Sequence, residues 1–306
     1  MTPLDSQILF GQAACLGAAF LWAIALTIFR RPIEIFGARR INLAKCGVAA
    51  VLQGLTVVLL GQAGVLWTAP VNSLVLIAVS GLVGLVLGDT ALFGATARIG
   101  VHRTLLLQTL APVFTAIVAA TWQGEQPTLT QGAGSLLILG GVALVVAPGR
   151  RARAIAPSGV ALGTGVGIAL GVLAAMGQGV GVVLAKVGMQ DVPILPASFL
   201  RLATAAVGLA LIGALTTRRA ATSGARRESR ILARVLIATF LGAYVALFLM
   251  MAGVAMAPAS VAAVLLSTGP VFSLVLEAVV ERKPVSMRGV AGTLLAILGV
   301  AVLSVW

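Results

Sequence analysis

Acidic side chains are scarce in this chain: eight Asp and Glu in 306 residues, against 21 Lys and Arg. There is one histidine, one tyrosine and two cysteines. Each shortage excludes something. Cys15 and Cys46 both sit in or beside apolar stretches, so neither a disulfide framework nor a cysteine-ligated metal site is supported, and buried free thiols are expected. One tyrosine cannot furnish the aromatic girdles of a membrane β-barrel, whereas 36 glycines suit closely packed helices. Charged residues make up 9% of the chain, against about 25% in an ordinary soluble domain. The net charge of +13 resides in short pieces between apolar runs, without interleaved aromatics, which argues against nucleic acid as a partner. The opening residues, MTPLDSQILF, lack a basic leader, so the first apolar run reads as a retained span.

What the chain does have is apolar surface. It is 60% hydrophobic, with a mean hydropathy of +1.12, more than a soluble core absorbs, so the lipid bilayer must be the solvent. Ten apolar segments follow one another, at roughly 8–29, 41–60, 73–97, 101–121, 129–147, 159–185, 197–216, 231–254, 259–280 and 286–305. Only helices satisfy their own backbone in hydrocarbon without a closed barrel, so the expectation is an all-α integral membrane protein. The linkers carry Gly61, Gly64, Pro70, Pro127, Pro148, Pro193 and Pro284, residues that end helices.

Basic residues fall almost entirely in alternate linkers. All but Lys186 and Arg201 of the 21 lie in or beside the first, third, fifth, seventh and ninth gaps, including Lys45 near the start of the second segment. With ten spans those gaps share one face, and the positive-inside rule makes that face cytoplasmic and puts both termini outside. The setting expected is a bacterial inner (plasma) membrane.

The chain also repeats itself. TLAPVFTAIVAA (109–120) matches STGPVFSLVLEA (267–278) at an offset of 158, and AGSLLILGGVALV (133–145) matches AGTLLAILGVAVL (291–303) at the same offset. KCGVAAV (45–51) aligns with RLATAAV (201–207) at 156, which sets Arg201 opposite Lys45. Five segments per copy is an odd number, so the copies, residues 1–150 and 151–306, insert in opposite senses. Two inverted five-helix repeats are a transporter architecture, with binding near the midplane between the halves.

These motifs have a familiar look. GVHRTLLLQTLAPVFTAIVAATWQGEQPTLTQGAGSLLILGGVALVV (100–146) and its second copy, residues 257–303, resemble the EamA-type module of the drug/metabolite transporter superfamily, and FLRLA (199–203) resembles the arginine start of that family's seventh helix. The resemblance implies ten helices, with the first, third, fourth, sixth, eighth and ninth around a central cavity and the fifth and tenth paired at the periphery. It also implies export of amino acids and other metabolites, or carriage of sugars and related solutes. The sequence departs from the family at two points. The linker 61–73 carries no positive charge where many members have it. The first segment also has no acid, whereas small multidrug relatives rely on a glutamate there.

Candidate site residues are polar groups at mid-depth. Asp89, in LVLGDTALFG (85–94), lies inside the third segment, about 12 Å from its basic end. An ionisable group there costs about 2.5–3.5 kcal/mol to insert, so it is either a coupling site for protons or a structural ion pair with Arg98, Arg103 or another basic residue of that face. The second reading is favoured. Pro112 and Pro270 are expected to kink the fourth and ninth helices and to free the carbonyls of Gln108 and Leu266. Beside them Gln108, Thr109, Ser267 and Thr268 are candidate substrate contacts. Trp22, Gln178 and Tyr244 join them because they sit mid-segment in helices that line the cavity by resemblance. The glycines at fourfold spacing in 163–181 are read as packing. Glu277 and Glu281 are read as a solvated pair and His102 as an interfacial residue.

The expected function is secondary transport, namely export of a small organic metabolite such as an amino acid by alternating access. Protons are a candidate coupling partner, no cofactor is implied, and the oligomeric state is left open. Few fixed charges at depth argue against a polyanionic substrate. A non-transporting receptor or scaffold is the alternative. An intramembrane enzyme is a weaker one: VLGD (86–89) resembles the glycine–aspartate motif of intramembrane aspartyl proteases, but Val86 replaces the glycine and no second aspartate lies within a span.

Overall fold

A computed structural model of the chain describes residues 3–123, 129–146, 158–215, 225–256, 265–280 and 286–303. All of the regular structure in these residues is helical. Besides a single helical turn at Val65–Thr68, we number ten helices in chain order: α1 (Pro3–Phe36), α2 (Ala38–Leu59), α3 (Val71–Ile99), α4 (Val101–Gln108 continued by Ala111–Gln123) and α5 (Leu129–Val146). Then come α6 (Ser158–Gly188), α7 (Ile194–Leu215), α8 (Ala225–Thr239 through to Ala246–Met256), α9 (Gly269–Val280) and α10 (Met287–Leu303). Seven are long and apolar enough to cross a membrane, while α5, α9 and α10 are shorter apolar helices. The ten-helix, all-α membrane fold expected from the sequence is the fold observed. Glu125, Glu281 and the linker 216–224 lie outside the described residues.

Two junctions are a single residue long. Gly37 (φ 84°) separates α1 from α2, and Gly100 (φ 83°) separates α3 from α4. An L side chain at that φ is strained, so glycine allows one helix to stop and the next to begin without a loop. The first helix also runs past its expected end at residue 29, through Pro32 to Phe36.

The copies interdigitate rather than standing side by side. In each, the helices after the first two pack on the first helix of the other copy: α3 and α4 lie on α6, and α8 and α9 lie on α1. The contacts repeat with the sequence. Leu107 of α4 fills the space beside Gly171 of α6, and its counterpart Leu265 packs with Cys15 of α1. In hydrocarbon there is little hydrophobic drive between helices, so close backbone approach carries the packing. A Cβ on Gly181 would stand 3.0 Å from the Cα of Gly84, and one on Gly177 3.0 Å from the Cα of Gly88, so α3 and α6 cross nearly backbone to backbone. The reading of these glycines as packing devices holds for Gly167, Gly171, Gly177 and Gly181, but a Cβ on Gly163 would meet nothing within 4 Å. α5 and α10 pair at the edge in the same way, since a Cβ on Gly141 would meet the carbonyl oxygen of Gly292 at 2.5 Å.

Polarity is inverted relative to a soluble protein. On α2, Leu55, Val58 and Leu59 are exposed, while Asn42, Lys45, Cys46 and Gln53 are buried. Both cysteines are free and buried, as expected.

Candidate functional site

The polar side chains converge where two helices lose α-helical regularity. Within α3, residues Leu82–Gly88 form a π-helix that ends immediately before Asp89. Within α8, Phe240–Val245 form another, which contains Tyr244. Their first residues, 82 and 240, are 158 apart, so the two irregularities are repeat-related. A π turn carries an extra residue, disrupts the ordinary carbonyl pairing and is frequent at functional sites. Here one carbonyl is used by a neighbouring helix: Asn42 Nδ2 of α2 donates to Leu85 O at 2.7 Å and to Thr90 Oγ1 at 2.9 Å.

Asp89 is answered by a lysine. Lys45 Nζ of α2 donates to Asp89 Oδ2, and the two side chains are almost fully buried. The same ammonium lies 5.3 Å from the ring centroid of Phe93 and 5.9 Å from that of Trp22. The partners first expected, Arg98 and Arg103, are not used. Arg98 is nine residues along the same helix, about 13 Å away, and donates to Gly94 O at 2.9 Å. Lys45 belongs to the interior rather than to the cytoplasmic surface where the charge pattern placed it. The ion pair joins α2 to α3 at the residue that follows the π segment.

Of Trp22, Gln178 and Tyr244, only Trp22 packs against this pair, whereas Tyr244 lies further along α2, at Thr56. Trp22 provides one aromatic wall for Lys45, and its ring also abuts the π segment of α8, where a Cβ on Gly242 would lie 3.3 Å from it. Tyr244 Oη lies 2.8 Å from Thr56 Oγ1 on α2 and its ring stacks on Phe240. Since Thr56 Oγ1 donates to Leu52 O, the tyrosine is the donor in that pair. The backbone of Gln178 passes Gly88, one residue before Asp89.

The proline-associated residues form a second, symmetric feature. The kinks expected at Pro112 and Pro270 are breaks. α4 interrupts at Thr109–Leu110 and α9 begins at Gly269 after a turn at 267–268, leaving each proline as the second residue of a new helical segment. Proline suits a first turn because its missing N–H would have no partner there. Thr109 Oγ1 donates to Leu106 O at 2.7 Å and Thr268 Oγ1 to Leu265 O at 2.6 Å, so both hydroxyls cap the segment that has just ended. Thr109 is buried, whereas Gln108, Ser267 and Thr268 are half-buried.

His102, the second residue of α4, is buried against α9. Its Nδ1 is 3.3 Å from both Pro270 O and Ser273 Oγ of α9, and its backbone N–H donates to Glu277 Oε1 at 3.3 Å. Glu277 is thus an acceptor at the N-terminus of α4, joining the copies, while its expected partner Glu281 lies outside the described residues.

Sequence reading missed the α2 face and its partner on α7. Asn42 and Gln53 were not singled out, and Lys45 entered only through the charge pattern and the repeat. Their three- to four-residue spacing, which puts them on one helix face, was the available signal. Arg201 is 1% exposed and sits near the crossing of α3, α6 and α7. No group of three or more His, Cys, Asp or Glu that could hold a metal occurs among the described residues.

Comparison with known proteins bears on the family and the fold. The model of the EamA-like transporter family matches residues 9–147 and 165–305. A curated relative from Streptantibioticus cattleyicolor, called a "probable terminal-alkyne amino-acid exporter", is 28% identical over 145 residues. That match covers 47% of this chain and 48% of the relative, so the chain spans about half the length of the curated relative it matches. A solved crystal structure superposes with a TM-score of 0.64 at 20% identity, covering 97% of this chain and 96% of its own, a likeness of fold.

Proposed function

The chain belongs to the EamA-like transporter family, and from that premise we propose that it exports a small organic metabolite by alternating access between its two halves. It is a multi-pass membrane transport protein. What supports the finer reading is the repeat-matched pair of π segments and helix breaks. They put backbone irregularity at mid-depth in α3, α4, α8 and α9, which contact the opposite half. Irregular backbone at that depth is tolerated where it is buried in protein or lines a cavity, and inverted repeats bind substrate there. The binding residues we propose are Trp22, Gln108, Gln178, Tyr244 and Ser267, with Thr109 and Thr268 shaping the breaks.

Asp89 is engaged by Lys45, which supports an anchoring role over proton carriage. Both termini are proposed to lie outside a bacterial plasma membrane. The burial of Lys45 and Arg201 removes one cation from each face and leaves the excess where it was.

Counterflow in proteoliposomes tests the proposal. A solute found by metabolite screening of a deletion strain is loaded inside, and uptake of labelled solute is followed. Replacing Gln108 by Leu is expected to reduce flux at least tenfold without loss of folded yield. Uptake abolished by an imposed pH gradient would assign proton coupling. No counterflow of any excreted metabolite would refute transport and leave a receptor.

A further inference from the structure

The two repeats differ in one respect that the ion pair brings out. Lys45 and Arg201 are repeat counterparts, and Lys45 is neutralised by Asp89. The residues 156 and 158 positions beyond Asp89 are Val245 and Leu247, so the second repeat keeps the cation without the acid. Arg201 is 1% exposed, and its Nε and Nη1 have no hydrogen-bond partner. Asp89 acts on it electrostatically, but that carboxylate is already held by Lys45. The three charges therefore sum to a buried excess of one positive charge.

Neighbouring groups are left unsatisfied too. Ser198 Oγ, one turn earlier on α7, has no partner, and neither do Gln53 Oε1 and Nε2 on α2. Gln53 follows Ala49 by one turn, and Ala49 clusters with Leu202 and Ala205 of α7. At the next residue of α2 a Cβ on Gly54 would come 2.8 Å from the ring of Phe199. Five orphaned polar atoms thus lie along the α2–α7 contact. The guanidinium itself reaches across to the π segment of α3, where a Cβ on Gly84 would stand 3.3 Å from Arg201 Nη2 and 3.7 Å from Gly181 Cα of α6. Glycine at position 84 keeps a side chain off the guanidinium fork. A desolvated, unpaired guanidinium is expensive, and a planar carboxylate is the group that its fork binds bidentately.

We propose that Arg201 anchors the carboxylate of the substrate, with Gln53 and Ser198 as its supporting polar contacts. The transported class is then a small monocarboxylate, free or as the acid end of an amino acid. This rests on the transport reading, and supplies the anion that the second repeat lacks.

Purified protein in nanodiscs is heated with each common L-amino acid, with the matching amino-acid amide, and with n-valerate, at millimolar concentration. At least one carboxylate should raise the melting temperature by a few degrees while its amide does not. Arg201→Gln should weaken that response at least tenfold, and Arg201→Lys should retain part of it. If Arg201→Gln fails to fold, the wild-type acid–amide comparison and Arg201→Lys carry the test. Stabilisation equal with acid and amide, or by no carboxylate, overturns the proposal, as does a full response in Arg201→Gln. Counterflow separates the two ideas. A neutral solute carried without any carboxylate response would leave transport standing and remove the anchor, whereas an Arg201-dependent response without flux would do the reverse.

Discussion

Removing the acid from the buried pair should cost more than removing the base. In Asp89→Asn, Lys45 keeps only its contacts with Phe93 and Trp22, each worth about 0.5–2 kcal/mol, and stays 1% exposed. Arg201 loses the carboxylate that acts on it as well, so two buried cations are left without an anion. Breaking a buried pair from one side costs about 3–5 kcal/mol, and this variant belongs at the upper end. At about 2 °C per kcal/mol for a chain of this size, that is a fall in melting temperature of roughly 10 °C. Lys45→Met is different, because Asp89 retains Arg201 as a cation within electrostatic reach, and the cost should be about half as large. In the double variant Asp89→Asn with Lys45→Met, most of the loss should return, since replacing both partners of a buried pair by groups of similar volume is often neutral. Melting curves of the four proteins in one detergent complete the cycle. If Lys45→Met were the more damaging single change, or if the losses simply added, Asp89 would not be serving both cations and the reasoning would fail.

Three further outcomes follow from the packing and the charge pattern. Gly141→Ala must push α5 away from α10, because its Cβ would meet Gly292 O at 2.5 Å; a loss of about 1–3 kcal/mol in thermal unfolding is expected, with counterflow per folded molecule unchanged. Tyr244→Phe deletes the hydrogen bond to Thr56 and should cost about 1 kcal/mol, measured the same way, and no loss would mean that the bond contributes nothing. Alkaline phosphatase fused after Trp306 should be active and a fluorescent protein fused there dark; the reverse pattern would invert the proposed topology.

The helices were legible because each is a long apolar run bounded by charge, glycine or proline, and the bilayer demands that pattern. The repeat was legible as well, and it carried further than the motifs, since the π segments and helix breaks recur at its offset. Neither irregularity was itself visible. LVGLVLG and FLGAYV contain nothing that distinguishes a π turn from an α turn, and what the two segments share is that each packs on the first helix of the other copy, α6 and α1. The partner of Asp89 was left open among the basic residues of that face, for a different reason. Lys45 stands seven residues inside α2, about 10 Å deep, and charge counting treats any lysine near a span end as surface. Alignment of Lys45 with Arg201 was already in the sequence, but only burial tells that both face inward.

That inward pair bears on how two halves could be coupled. The Lys45–Asp89 bond lies within the first repeat, between α2 and α3, so rocking one repeat against the other need not break it. Arg201 belongs to the second repeat, and its guanidinium lies against Gly84 of the first. On the proposed mechanism a carboxylate held there touches both bodies, and a ligand shifts a conformational equilibrium only through contacts that differ between its states. Contacts confined to one body are the same in both states. The unpaired cation at the contact between the halves is therefore where binding energy can be converted into motion. The π segment beside it is a stretch of α3 in which backbone partners can change without unfolding a helix.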